Sequence, residues 1–221
     1  GDGSLRTYKD SPPLEYVLRE PVSRKEVEPA LKYLADRLKM NKSEIHMSHR
    51  CSVHVHVNVQ QTKMQHLINF MTLYYIFEDV LMQHAAPERR GNLFCLRAKD
   101  ASFQIENMAN AIRSGQWDVM MQNDMRYSAM NPAALAQHGS LEFRAMRGTV
   151  DVETIKDWVT ILLALKDSAT TFTNPASISR IYKSLGEREF LFRVFDSRIP
   201  PEILSKWAKD KLTPERISEG Y

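Results

Sequence analysis

A chain of 221 residues has room for one domain around a single buried core, so no tandem array is needed to account for it. Hydrophobic residues at 43% and charged residues at 26% exclude a disordered or collagen-like chain. Thirty basic against twenty-seven acidic side chains leave a net charge of +3, spread along the sequence, which gives no ground for nucleic acid as a partner.

No run approaches the roughly 20 apolar residues of a membrane span. The most apolar stretch, Leu67 to Met82, is interrupted by Asn69, Glu78 and Asp79, so no membrane is expected either. Cys51 and Cys95 are too few for a disulfide framework and lack close metal-binding spacing, which points to a reducing compartment. The chain opens at Gly1-Asp2-Gly3-Ser4 without an apolar leader, and an upstream segment is expected.

In chain order, Leu14 to Arg19 after Pro12-Pro13 reads as a strand, ended by Glu20-Pro21 because the residue before proline is pushed out of the helical region. Ser23 and Glu26 fit a capping box, and Val27, Leu31, Leu34 and Leu38 predict an amphipathic helix over Ser23 to Lys39. Strict alternation then predicts a strand from Cys51 to Gln60. Cys51, Val53, Val55, Val57 and Val59 face one way, and Ser52, His54, His56, Asn58 and Gln60 the other. Cys51 is thereby expected to be an inert buried thiol.

Thr62 is placed to cap a long helix reaching about His84. A loop over Ala86 to Lys99 precedes a helix over Ala101 to Arg113, stopped by Gly115. Leu141 to Met146 alternates again, with Glu142 and Arg144 on its polar side. Asp151 is expected to cap a broad-faced helix broken at Asn174-Pro175, and two shorter helices follow, over Ser177 to Leu185 and Glu202 to Lys211. Strands with one polar face, separated by helices, predict an α+β fold: a mostly antiparallel sheet with helices on one face and an open groove on the other.

The polar row puts His54 and His56 on one strand face, roughly 7 Å apart. They can address one ligand together or simply line a wet face. Glu142 and Arg144 repeat the arrangement, either as a solvated pair of little energetic weight or as part of a site. If both strands share a groove, it holds two imidazoles, a carboxylate and a guanidinium, a mixture suited to a divalent cation and to phosphate or carboxylate. Arg126 lies in the segment up to Pro132 that would enter the same end of the sheet. Arg89 and Arg90, beside Gly91, can reach an anion or remain solvated. His46, His49, His66, His84 and His138 show no usable partner spacing. No dinucleotide, P-loop, serine-hydrolase or zincin motif occurs.

Read in order, several segments resemble the amidoligases of the carboxylate-amine ligase superfamily, which share a glutamine synthetase-like catalytic sheet, and the phage-encoded members above all. These are Asp2-Gly3-Ser4-Leu5-Arg6, Leu14-Glu15-Tyr16-Val17-Leu18 with Pro21, Ser52-Val53-His54-Val55-His56-Val57, Arg89-Arg90-Gly91-Asn92-Leu93-Phe94-Cys95, Arg126-Tyr127-Ser128-Ala129, and Gly139-Ser140-Leu141-Glu142-Phe143-Arg144 with Arg147-Gly148-Thr149.

The resemblance implies a catalytic domain over residues 1–175 with a helical extension over 176–221. It implies ATP-dependent formation of an amide or isopeptide bond through an acyl phosphate. His54, Glu142 and Glu15 would be magnesium ligands. His56, Arg144 and Arg89 would meet the nucleotide, and Arg144 with Arg126 would hold phosphate or substrate carboxylate. Asp2 and Arg6 are weaker candidates. Family members also carry a Glu-x-Glu strand at the amino end, which here would precede Gly1. The expected partners are a carboxylate and an amine, including peptide or protein substrates, and a homo-oligomer or phage assembly. The expected location is the cytoplasm, that of the host for a phage protein, or the virion. Two other readings stay open: a non-catalytic particle component that keeps the ligase fold, and a cupin-like single-metal protein.

Overall fold

A computed structural model describes residues 15–40, 47–48, 50–86, 89 and 91–209. Its centre is a helix that is apolar nearly all round, as a helix surrounded by other elements must be. This is α2, Met64–Ala85, which follows α1, Val27–Met40. Phe70, Leu73, Tyr74 and Leu81 of α2 are fully buried. Its N-cap is Lys63 rather than the expected Thr62, and no side chain caps it. Upstream, the Ser23 N–H donates to Glu26 Oε2 at 2.8 Å, one arm of the expected capping box, and the helix proper starts at Val27.

Three antiparallel strands lie against α2 in the order β1-β3-β2: β1, Val55–Asn58; β2, Met130–Asn131; and β3, Ser140–Phe143. The Phe143 ring meets Phe70 at 5.6 Å and Tyr74 at 5.2 Å, which turns the odd-numbered face of β3 toward α2. Val57 and Val59 are buried with it. In the β1–β3 ladder, Val59 N–H donates to the Gly139 carbonyl, so His56 and Glu142 face each other as a non-hydrogen-bonded pair, the type whose side chains come closest.

The predicted strand over Leu141 to Met146 shifts to Ser140–Phe143, and all four of its residues are buried. Its alternation suggests one wet face, but on that face the Asn131 and Arg144 side chains pack against the Glu142 carboxylate. Residues 15–18 join no ladder among the described residues, so the strand expected there does not form within them; Leu14 lies outside the described residues.

Beyond the ladder, Ser52 bridges Arg147, and the Gly148 N–H donates to the Cys51 carbonyl at 3.0 Å. A Cβ on Gly148 would stand 2.5 Å from Cys51 Cβ, so this close approach requires glycine. Gly148→Ala is expected to cost about 1 kcal/mol by overpacking and to lower the thermal midpoint by roughly 2–4 °C in a melting experiment. Cys51 is half-buried rather than in the core, and its sulfur accepts from the Ser48 N–H at 3.4 Å.

The remaining helices are α3, Phe103–Ser114; α4, Ala134–His138; α5, Val152–Ala169; α6, Pro175–Leu185; α7, Glu187–Phe195; and α8, Pro201–Lys209. Asp151 caps α5 as expected, accepting from the Thr154 N–H at 2.9 Å, but that helix stops at Ala169, ahead of the predicted break. Gly115 ends α3 in the left-handed region, at φ +72°. Residues 210 and 211, assigned to the last helix from sequence, lie outside the described residues. Helices on both sides of residue 175 share one hydrophobic core: Phe77 of α2 stacks on Phe190 at 5.6 Å, and Phe195 meets Trp207 at 5.2 Å. The fold is α+β. Among the described residues no helix is long and apolar enough to cross a membrane.

Candidate active site

The antiparallel register brings the two candidate strands side by side, and Glu142 becomes the hub. Its Oε1 accepts from Arg144 Nη1 at 2.8 Å and lies 3.1 Å from His54 Nδ1; its Oε2 accepts from Asn131 Nδ2 at 2.6 Å. Asn131 is oriented for this by its own Oδ1, which accepts from the Ala133 N–H at 2.9 Å. His56 Nε2 is more distant from the hub, at 3.8 Å from Oε1, and its Nδ1 lies 3.0 Å from the Ser140 hydroxyl. His54 Nε2 is 2.7 Å from the Ser52 hydroxyl. Arg144 is anchored a second time by Nε on the Phe94 carbonyl, at 3.3 Å.

Glu142 and Arg144 are therefore not a solvated surface pair: the carboxylate side chain is only 9% exposed. Burial works against its charge. Hydrogen bonds from His54 and Asn131 and the positive guanidinium of Arg144 outweigh that penalty and bring the carboxyl down to about 2. His56 shifts down, because burial disfavours the imidazolium more than Glu142 favours it, and His138, His54 and Arg144 add repulsion. The result is a buried anionic floor with a rim of accessible imidazole, His54 at 26% and His56 at 42% side-chain exposure.

Three candidates fall outside this cluster. Glu15 is exposed in the segment before α1, which joins no sheet strand among the described residues. Arg126 is exposed, with its guanidinium 5.1 Å from the centroid of the Tyr127 ring rather than on Glu142. Arg89, read as a nucleotide contact on a solvated loop, is only 2% exposed. Its Nη1 donates to the Cys51 carbonyl at 2.8 Å and reaches the Met146 carbonyl at 3.4 Å, so it braces backbone instead. Asp2, Arg6, Arg90, His46 and His49 lie outside the described residues.

Other residues join the site unannounced. Asn131 follows Arg126-Tyr127 in sequence, but nothing in that loop signals that it pairs with Glu142 across a two-residue strand. His138, without partner spacing, places its ring edge-on to His56 at 5.4 Å. Ser52 could have been noticed, since the alternation puts it on the same side as His54 two residues on, although both lie ahead of β1.

Residues 11–166 match a family model described as "putative amidoligase enzyme". The chain belongs to the amidoligase family. No curated protein and no solved structure matches it significantly. The amidoligase match takes in every side chain of the Glu142 cluster and stops within α5.

The donor set bears on the magnesium ligation that the resemblance implies. Magnesium takes near-octahedral oxygen ligands. His54 and Glu142 stay together, but their polar atoms are directed at one another and at Ser52, Asn131 and Arg144, and Glu15 is elsewhere. Among the described residues no group of three or more His, Cys, Asp or Glu side chains is arranged to hold an ion. The described residues therefore do not fit a protein-built magnesium cage.

Proposed function

We propose that the protein is an ATP-dependent carboxylate-amine ligase, forming an amide or isopeptide bond through an acyl phosphate, with a peptide or protein among its substrates. The observation that carries this reading is the desolvated Glu142–Arg144 pair, rimmed by histidines and lying inside the residues that match the amidoligase family. ATP, as co-substrate, would supply the transferring phosphoryl group, with magnesium liganded by its phosphates and water.

Arg144 uses Nη1 and Nε within the protein, which leaves Nη2 for an anion among the described contacts. His56 offers its exposed edge to the same ligand. A fixed guanidinium near developing negative charge stabilises a transition state without reorganising at the moment of reaction. Arg126, exposed on its own turn, is assigned to the substrate carboxylate.

Full-length protein given ATP, magnesium, mixed carboxylates and hydroxylamine is expected to release ADP and form a hydroxamate, the trapped form of an acyl phosphate. Arg144→Ala is expected to lower that rate by roughly 10²-fold or more. ADP release from no mixture at all would sink the ligase reading and favour the non-catalytic one.

A further inference from the structure

We infer that Ser52 is a nucleophile, and that Ser52, His54 and Glu142 transfer acyl groups through a seryl ester. The Ser52 hydroxyl oxygen lies 2.7 Å from His54 Nε2, and the opposite ring nitrogen lies 3.1 Å from Glu142 Oε1. Glu142 sits between a guanidinium and an amide N–H, and such a carboxylate only accepts. Nδ1 therefore carries a proton, and in the neutral ring Nε2 presents its lone pair and the Ser52 hydroxyl donates to it. This is the order of nucleophile, base and orienting carboxylate that activates serine in acyl transfer.

The backbone around Ser52 is fixed from several sides. The Cys51 carbonyl takes both the Gly148 N–H and Arg89 Nη1, and Val53 N–H donates to the Met146 carbonyl at 3.1 Å. Ser52 itself bridges Arg147. The buried guanidinium of Arg89 thus acquires a purpose as a positioning group for the residue next to it, and this bracing holds Ser52 in place although it lies ahead of β1, at an isolated bridge.

Access separates Ser52 from the serine that mimics it. Ser140 also faces a histidine, but it is 3% exposed, and its partner His56 stands 3.8 Å from Glu142, beyond hydrogen-bond range. Ser52 is half-buried and His54 remains partly exposed. Only one of the two serine–histidine pairs is both complete and reachable.

The substrate class is an activated acyl donor: an ester, a thioester or an acyl phosphate. Ser52 Oγ bonds to the carbonyl carbon and the bond to the leaving group breaks, while His54 Nε2 takes the hydroxyl proton and passes it to the leaving group. An amine then attacks the seryl ester. The C–N bond forms, the C–Oγ bond breaks, and the amine proton returns through His54 to Ser52. This goes beyond the ligase reading, because no ATP is consumed once the donor is activated.

A fluorophosphonate probe tests it without knowledge of the substrate: an Oγ–P bond forms and fluoride leaves. The native full-length chain is expected to gain one adduct, located on Ser52 and not on Ser140 by peptide mass spectrometry. Ser52→Ala should gain none, and His54→Gln should react roughly 10²-fold more slowly, with thermal midpoints recorded to show that each variant is folded. The inference is overturned by a native chain that stays unmodified, or by modification of Ser52 no faster than in urea-unfolded protein. Labelled Ser52 in a protein that never consumes ATP supports it while the ligase reading fails. ATP-dependent amide formation by Ser52→Ala at the wild-type rate removes the seryl intermediate and leaves the ligase reading standing.

Discussion

Glu142→Ala is expected to lower the unfolding free energy by about 3–5 kcal/mol, the range for removing one member of a buried charge pair. The size follows from what is left behind. Arg144 Nη1, Asn131 Nδ2 and His54 Nδ1 all lose their acceptor together, in a place where water has little access. Glu142→Gln should not rescue the loss. Its amide N–H₂ would have to face Asn131 on one side or Arg144 and His54 on the other, donor against donor. Urea unfolding reads this directly as a shift in midpoint at constant slope. The exposed Arg24–Asp167 pair is the internal comparison: at 2.7 Å it has excellent geometry, but the side chains are 61% and 48% exposed, so Asp167→Ala should cost well under about 1 kcal/mol. Equal effects at the two sites would refute the claim that burial gives the Glu142 cluster its energy.

What could be read in advance divides along the range of the interactions concerned. The strand expected from Cys51 to Gln60 forms only over Val55–Asn58, but its alternation still places Val57 and Val59 in the core and His54 and His56 toward Glu142, because a strand's period of two is a local property. Asp151 and Gly115 likewise mark helix ends from local chemistry alone. For Glu142 the alternating neighbours imply a wet face, but Asn131 pairs with its carboxylate and the Phe94 carbonyl anchors its partner Arg144, contacts that no local pattern signals. Arg89 shows the same limit, since a charged loop gives no sign that two backbone carbonyls will bury its guanidinium. Helix α7 escapes a local reading for a different reason. Gly186 reads as a helix stop, and it is one for α6, but with φ +77° it also serves as the N-cap of the next helix.

The stability of the native chain is expected to fall by about 2 kcal/mol between pH 6.5 and 8, and Glu78→Gln to abolish that fall. Glu78 lies within α2, with Oε2 accepting from the Ala98 N–H at 2.7 Å and Oε1 buried without a partner. The guanidinium that favours its charge, Arg97, is committed to Asp100 at 2.7 and 2.9 Å and to Asp79 at 3.1 Å. Burial therefore dominates, and despite the Ala98 N–H it raises the Glu78 carboxyl from 4.5 to about 8. Above pH 4.5 the unfolded chain releases this proton while the folded chain keeps it, so folding is progressively disfavoured until about pH 8. His84 acts in the opposite sense. Burial against Trp207, with Lys206 and Arg147 nearby, lowers it from 6.5 to about 4, so the unfolded chain is favoured by protonation below pH 6.5 and loses that advantage as pH rises. The two slopes cancel between about pH 4.5 and 6.5, and above that only Glu78 remains, over about 1.5 pH units at about 1.4 kcal/mol each. Urea midpoints at pH 5.5, 6.5, 7.5 and 8.5 separate the cases: the native chain should weaken across the last three, while Glu78→Gln should strengthen up to pH 6.5 and then hold level. A variant that still weakens above pH 6.5 would place the responsible proton on some group other than Glu78.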